Sequence, residues 1–299
     1  MAEINPATVK ALREKTNAGM MDCKRALTEA GGDLEKAEAL LRQKGIASAG
    51  KKASRHAKEG AVVSFIHPSG KTGVLVEINC ETDFVAKNDI FTKFAREITG
   101  EIASAKASGV AELLESPGSD GVLFKDTIAA TIAALGENIV IRRFDRFQIE
   151  GGLVASYIHL QGKVGVLVEI SCASEATAKN DSFREFVKDI TLQIAAAHPV
   201  VVSRDQVDPA LVASEREIYK AQVQGKPANI VEKIVDGKMD KFYSTACLLE
   251  QACIKNPDIT VRELVASKEK ELGDKIAVNR FVRYALGEES GEAPAEEEA

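Results

Sequence analysis

The stretch SFIHPSGKTGVLVEINC, from Ser64 to Cys80, recurs at an offset of 92 residues as SYIHLQGKVGVLVEISC, from Ser156 to Cys172. Around it, residues 60–105 and 152–197 align without a gap, and 25 of these 46 aligned pairs are identical. Self-similarity over this length indicates that one structural unit is used twice. In both copies apolar residues stand on either side of a Gly-Lys turn, which predicts that each unit starts with a β-hairpin.

Each hairpin is followed by a predicted helix. Within 89–106 and 181–197, apolar residues recur at the spacing that places them on one helical face. These residues are Phe91, Phe94, Ile98 and Ile102 in the first copy and Phe183, Phe186, Ile190 and Ile194 in the second. The pattern predicts an α+β fold whose core consists of two repeated subdomains with antiparallel sheets.

A third shared segment, 136–147 and 273–284, repeats at an offset of 137 residues. Because this offset is larger than 92, the second copy has gained 45 residues, which lie at about 200–245. The insertion holds a helical pattern after Pro209, a turn at 225–227 and a second helical pattern with an apolar stripe. We predict two antiparallel helices that project as an arm. An uncovered part of the stripe would suit self-association.

The first 50 residues predict three helices. Pro6 suits the first turn of one helix, Asp22 and Asp33 suit the N-caps of the next two, and Gly45 is expected to end the third. A basic linker is predicted at 51–59, with Lys51, Lys52, Arg55, His56 and Lys58. The predicted domains are 1–50, the linker 51–59, core subdomains 60–148 and 149–286, and a disordered acidic tail at 287–299.

Composition narrows the class of protein. The chain has 299 residues and five cysteines without a C-x-x-C pair, which predicts reduced cytosolic thiols and no zinc site. The net charge of −6 comes from the tail, because its six Glu residues leave 39 acidic against 39 basic residues elsewhere. A neutral body gives little support to a nucleic-acid partner. We also find no signal-peptide pattern and no apolar run long enough for a membrane span.

Motifs for catalysis are not found. Ser69-Gly70-Lys71-Thr72 would need a glycine at position 65 to be a phosphate-binding loop, but that residue is Phe65, and a strand is predicted after the lysine. Nothing in the sequence resembles a nucleophile with its base, or a metal-ligand cluster. We therefore expect no enzymatic activity, no metal site and no cofactor. An enzyme working at the interface of the repeats is kept as an alternative.

The two copies differ most at the end of the second predicted strand. Glu81–Val85 reads ETDFV, whereas Ala173–Thr177 reads ASEAT, between flanks that are otherwise matched. A phenylalanine, Phe84, thus stands where the second copy has Ala176. Phe84 could pack into its own core, or it could be an exposed contact for a partner beside Asp83. The second interpretation is favoured because the core of the second copy has only an alanine at the same position.

Two segments resemble the signatures of the elongation factor Ts family, the guanine-nucleotide exchange factors of elongation factor Tu. They are LREKTNAGMMDCKRAL, at Leu12–Leu27, and EINCETDFVA, at Glu77–Ala86. The resemblance covers residues 1–288 and implies a ubiquitin-associated-like N-terminal domain, a two-part core and an inserted coiled-coil hairpin. It also implies a cytoplasmic protein that binds elongation factor Tu, both GDP-bound and nucleotide-free. The acidic tail departs from family members that continue into a C-terminal helical module.

The resemblance also implies roles for individual residues. Thr82, Asp83, Phe84 and Val85 match the segment that enters the G domain of the partner and dislodges its magnesium ion. Further contacts to that domain are implied for Arg13, Met20, Met21, Lys24 and Lys52. His159 matches a contact to the third domain of the partner, and Ile254 and Lys255 are weaker matches.

Two alternatives remain open from the residues themselves. Met20 and Met21 follow a predicted helix break and could either fill the core or form an adaptable contact surface. The basic residues at 51–58 would be the basis of an RNA-binding module, in which case RNA binding would depend steeply on salt.

Overall fold

The computed structural model describes residues 4–16, 18–223 and 227–288, without the side chains of 228 and 229. It confirms an α+β fold in which helices accompany antiparallel sheets. The helices are α1 Pro6–Thr16, α2 Met20–Glu29, α3 Leu34–Lys52, α4 Asp83–Ala86, α5 Asp89–Ser104, α6 Val110–Leu114, α7 Phe124–Leu135, α8 Glu175–Lys179, α9 Asp181–Ala197, α10 Pro209–Gln222, α11 Ala228–Ala246 and α12 Val261–Leu272. The strands are β1 Glu59–Ile66, β2 Thr72–Cys80, β3 Ile139–Gln148, β4 Gly152–His159, β5 Val164–Cys172 and β6 Ile276–Ala285.

The head, residues 4–52, contains three helices whose starts follow the sequence signals in two of three cases. Helix α1 begins at Pro6, and the Asp33 carboxylate caps α3 by accepting hydrogen bonds from two backbone N–H groups. The predicted cap at Asp22 is wrong, because α2 already begins at Met20 after Gly19. Asp22 lies in the first turn of α2, where its carboxylate pairs with Arg25.

Helix α3 does not end at Gly45 as predicted but continues to Lys52. Gly45 is buried against α7, and a Cβ atom there would lie 3.5 Å from the Ala129 carbonyl oxygen and 3.6 Å from the Ala133 Cβ. The glycine therefore permits a close helix–helix approach, and this packing offsets its low helix propensity. As a result Lys51 and Lys52 are helical, and the connecting segment begins only at residue 53.

The core contains two three-stranded antiparallel sheets, in the orders β1-β2-β3 and β4-β5-β6. Their registers are equivalent, since Gly60 pairs with Asn79 and Gly152 with Ser171. Both sheets also carry a register shift at the same place, after Glu77 in one and after Glu169 in the other. The predicted apolar faces of α5 and α9 are buried against these sheets, which confirms the two helix predictions.

The two sheets pack against each other through equivalent residues. Ser156 Oγ donates a hydrogen bond to Ser64 Oγ at 2.9 Å. These two serines occupy the same position in the two copies. A Cβ atom at Gly73 would lie 2.6 Å from Val154 Cγ1, and one at Gly165 would lie 2.4 Å from Val62 Cγ1. The repeated Gly-Val-Leu-Val motif therefore places glycine where the sheets approach most closely.

The insertion forms helices α10 and α11, which enclose an apolar cluster of their own around Val235 and Met239. Arg216 of α10 pairs with Glu232 and Asp236 of α11, so the two helices lie side by side. The predicted turn at 225–227 includes residues outside the described part of the chain, as do Asn17 and the tail from residue 289. Across the ranges that the structure describes, no helix is both long and apolar enough to cross a membrane.

Candidate functional site

The segment that follows β2 forms a single helical turn. Strand β2 ends at Cys80, and Thr82 is the N-cap of α4, with its Oγ1 accepting a hydrogen bond from Val85 N at 3.3 Å. Val85 and Ala86 pack against the core of the first subdomain. Phe84 points away from that core and is 83% exposed. The interpretation of Phe84 as a residue of its own core is therefore wrong.

A carboxylate that the sequence analysis did not single out holds this turn in place. Glu137, just before β3, accepts hydrogen bonds from Glu81 N at 3.1 Å, Thr82 N at 3.0 Å and Thr82 Oγ1 at 2.6 Å. The next residue, Asn138, donates its backbone N–H to the Glu81 carboxylate at 2.7 Å. Three donors on one carboxylate make a rigid base for Phe84, since charge-assisted hydrogen bonds are the strong ones.

The second copy holds its corresponding turn in the same way. Asp274 accepts hydrogen bonds from Ala173 N at 3.2 Å and from Ser174 N at 2.9 Å. The sequence therefore held a signal for this support of the turn, because Glu137 and Asp274 are acidic residues at the same position of the third shared segment. The turn of the second copy presents an exposed Ala176 where the first presents Phe84. The support is shared, and the exposed aromatic ring belongs to the first copy alone.

The charges around Phe84 are paired locally. Lys87 Nζ donates to Asp83 Oδ2 at 2.7 Å, and this hydrogen bond lowers the pKa of Asp83 and raises the pKa of Lys87. Because the pKa of Asp83 lies below its usual 3.8, its carboxylate is charged at neutral pH. The carboxylate becomes protonated, and so loses its charge, only in strong acid. The exposed ring thus has a permanently charged ion pair beside it.

Cys80 has a structural role beneath the turn. Burial raises the pKa of its thiol to about 12, and its Sγ donates to the Thr82 carbonyl oxygen at 3.2 Å. A thiol with so high a pKa holds almost no thiolate at neutral pH and is a poor nucleophile. The equivalent Cys172 is also buried and donates to Ser174 O at 3.3 Å. Both cysteines therefore pack in the core.

The end of the head helix α3 is tied to the same turn. Asn138 is buried, and its Nδ2 donates to the carbonyl oxygens of Ala53 at 3.4 Å and Arg55 at 2.9 Å. Arg55 in turn pairs with Glu81 at 3.3 Å. Lys52, predicted in the linker, is instead the last residue of α3, and its Nζ lies 3.5 Å from Ile132 O. The residues that tie this end of α3 to the turn are thus Ala53 and Arg55, whereas the Lys52 side chain contacts α7.

The other candidate residues lie at the surface in separate places. Met20 and Met21 are 54% and 65% exposed at the start of α2, so the interpretation that they fill the core is wrong. Arg13 and Lys24 are exposed on the same head. His159 ends β4, where its ring stacks on Tyr157.

Two further candidates, Ile254 and Lys255, lie in the segment between α11 and α12. Ile254 is half exposed, and Lys255 pairs with Asp189 at 2.6 Å. Within the described ranges, neither these two residues nor His159 share a hydrogen bond or ion pair with the turn at Thr82–Val85.

Comparison with known proteins identifies the family. The family model described as Elongation factor TS matches residues 81–288, which is more than half of the chain. The chain belongs to the elongation factor Ts family. Elongation factor Ts of Clostridium acetobutylicum is 47% identical over 288 residues, which cover 95% of this chain and 93% of the relative. Elongation factor Ts of Clostridium novyi (strain NT) is 45% identical over 284 residues, or 94% and 92% of the two chains.

Membership in the elongation factor Ts family assigns the chain a role in translation elongation. The matched residues 81–288 begin at Glu81, so they include the whole Thr82–Val85 turn, its support at Glu137 and the second copy with the arm. The turn and its support therefore lie inside the part of the chain that the family model matches.

Proposed function

We propose that this chain is a guanine-nucleotide exchange factor that binds GDP-bound elongation factor Tu, dislodges its magnesium ion and promotes replacement of GDP by GTP. The observation that carries this proposal is the exposed ring of Phe84 on a rigid turn, at the position where the corresponding turn of the second copy has Ala176. Membership in the elongation factor Ts family supports it. A fixed, exposed aromatic ring is typical of residues that contribute most to binding a protein partner.

The energetics of exchange define what such a contact has to achieve. A nucleotide bound with nanomolar affinity is held by about 12 kcal/mol, so a partner must stabilise a state that binds it poorly. Linkage makes the effect reciprocal, so the bound nucleotide weakens the binding of the exchange factor by the same ratio. A magnesium ion requires near-ideal octahedral geometry, and a small shift of its ligands spoils it. No chemical step and hence no catalytic residue or cofactor is required.

The remaining residues receive the following proposed functions. Thr82 and Val85 position Phe84 from within the turn, and Asp83 provides a charge beside it. Contacts to the G domain of elongation factor Tu are assigned to Arg13, Met20, Met21, Lys24 and Lys52. His159, Ile254 and Lys255 are assigned contacts elsewhere on elongation factor Tu, where they would anchor the second copy.

The finer architecture follows from the same proposal. We infer a ubiquitin-associated-like head, two repeated core subdomains at about 60–148 and 149–286, and a coiled-coil arm formed by α10 and α11. We also place the protein in the cytoplasm, where translation elongation takes place, and expect no direct nucleic-acid partner.

The direct test is release of fluorescent GDP from elongation factor Tu. The complex is mixed with excess unlabelled GDP, and the release rate is measured with and without this chain at several magnesium concentrations. We expect substoichiometric amounts of the chain to accelerate GDP release. The ratio of the rates with and without the chain should be smaller at low magnesium, where elongation factor Tu has already lost its magnesium ion. An unchanged release rate at saturating concentrations of the chain would contradict the proposal.

Replacing both Met20 and Met21 by Ala is expected to weaken binding to elongation factor Tu by about tenfold, or about 1.4 kcal/mol. Both side chains are exposed, so the free energy of unfolding should remain unchanged. Isothermal titration against nucleotide-free elongation factor Tu and urea unfolding measure the two quantities. Leu34→Ala, an exposed position on α3 of the head, is the matched control. Unaltered affinity of the double variant would remove the methionines from the interface.

Replacing residues 209–242 by a short Gly/Ser linker is expected to leave a soluble monomer that still accelerates GDP release. The arm has its own apolar cluster, and the first copy completes its sheet and helix without any such insertion. Tyr243 is retained because its ring lies 4.4 Å from the Arg204 guanidinium at the base of the arm. Light scattering gives the mass. A folded variant without exchange activity would make the arm part of the mechanism.

A further inference from the structure

The described chain ends at a defined place on the surface of the core. Leu286 N donates to Lys163 O at 2.8 Å, and Gly287 N donates to the carboxylate of the buried Glu77 at 3.0 Å. A Cβ atom at Gly287 would lie 3.5 Å from the Lys58 carbonyl oxygen. Gly287, next to the last described residue, therefore lies beside Lys58.

Lys58 is one end of a strongly basic surface, which we call the basic segment and define as residues 51–58. It contains Lys51, Lys52, Arg55, His56 and Lys58 and no acidic residue. Among the described residues, neither Lys51 nor Lys58 forms an ion pair, and the adjacent Glu59 is engaged by Lys163 at 2.9 Å. The segment thus carries positive charge that the described part of the chain does not neutralise.

We propose that residues 289–299 dock on the basic segment of the same molecule. These eleven residues contain five Glu and no Lys, Arg or His. Extended at about 3.3 Å per residue they span about 36 Å, which exceeds the reach of the eight-residue segment itself. A short tether holds its ligand at an effective concentration in the millimolar range, so weak pairwise attraction suffices for docking.

The position of the basic segment gives this docking a consequence. Arg55 pairs with Glu81, so the segment leads from the root of the tail to the turn that carries Phe84. A docked tail therefore neutralises charge beside the candidate partner surface and competes with any anionic group that approaches it. This consequence rests on the proposed function, whereas the docking itself does not.

The docking can be measured with a nitroxide at position 299, introduced by Ala299→Cys and maleimide labelling. All five native cysteines are buried, so the added thiol is the one that reacts in the folded protein. We expect the amide resonances of residues 51–58 to lose intensity at low salt. They should recover in about 1 M NaCl, where the Debye length is about 3 Å. They should also recover when all five tail glutamates are replaced, in a variant with E289Q, E292Q, E296Q, E297Q and E298Q.

The amides around Lys233 and Lys241 on the arm are the internal control, because these lysines alternate with Glu232, Asp236 and Asp240 and the helix that carries them has no excess of basic residues. Equal intensities in the basic segment and the control at low salt would overturn the proposal, and so would losses that persist in the glutamine variant. If single-stranded RNA perturbs the amide resonances of the basic segment and the tail does not, the basic segment is a nucleic-acid-binding site and the docking proposal is wrong. GDP release assayed on the same samples separates the two proposals, since docking without exchange contradicts only the proposed function.

Discussion

Replacing Phe84 by Ala is expected to slow the stimulated release of GDP from elongation factor Tu by roughly thirtyfold or more, the effect of losing a contact worth about 2 kcal/mol. The free energy of unfolding should change little, because the ring is 83% exposed and few contacts within the chain are lost. Stopped-flow GDP release and urea unfolding of the same preparation measure the two effects. This separation of activity from stability distinguishes a contact residue from a core residue.

Two variants calibrate the result for Phe84. Val200→Ala truncates an apolar side chain that is 69% exposed at a place outside the proposed interface, and it should alter neither quantity. Phe91→Ala truncates a fully buried ring of α5 and should lower the free energy of unfolding by about 3–5 kcal/mol. A Phe84 variant that loses as much stability as the Phe91 variant, or retains full exchange activity, would refute the proposed function of the ring.

Replacing Glu137 by Ala is expected to reduce exchange by roughly tenfold, equivalent to about 1.4 kcal/mol. The change removes the acceptor of three hydrogen bonds from Glu81 and Thr82, so the turn no longer holds Phe84 in one position. Each donor left without a partner at a half-buried site also costs about 1–3 kcal/mol. Exchange and unfolding should therefore both be affected, and the two contributions need to be separated.

Asp274→Ala is the matched control, since it removes the same support from the turn of the second copy, which presents Ala176. We expect a similar loss of stability in that variant but full exchange activity. Glu137→Asp should restore part of the activity, because an aspartate performs this function in the second copy. Equal losses of exchange in the Glu137 and Asp274 alanine variants would show that Glu137 acts through general stability alone.

Much of the fold could be predicted because its signals are local. Apolar periodicity and turn residues correctly predicted the two hairpins, the helices α5 and α9, and the start of α10 at Pro209. The end of α3 could not be predicted in this way. Gly45 is a helix-ending signal when taken alone, and its contact with Ala129 and Ala133 of α7 is what reverses its meaning.

By itself, the sequence determined that the chain holds two copies of one unit, that the second copy carries an insertion, and that the copies differ at Phe84 and Ala176. Repetition and periodicity are properties of neighbouring residues, so they can be read without knowing what packs on what. Only the tertiary structure decided that Phe84 is exposed and that Glu137 supports its turn. Glu137 and Thr82 are 55 residues apart in the chain, and β3 brings them together by pairing with β2. Exposure and such distant contacts follow from the packing of the whole chain, which no local pattern specifies.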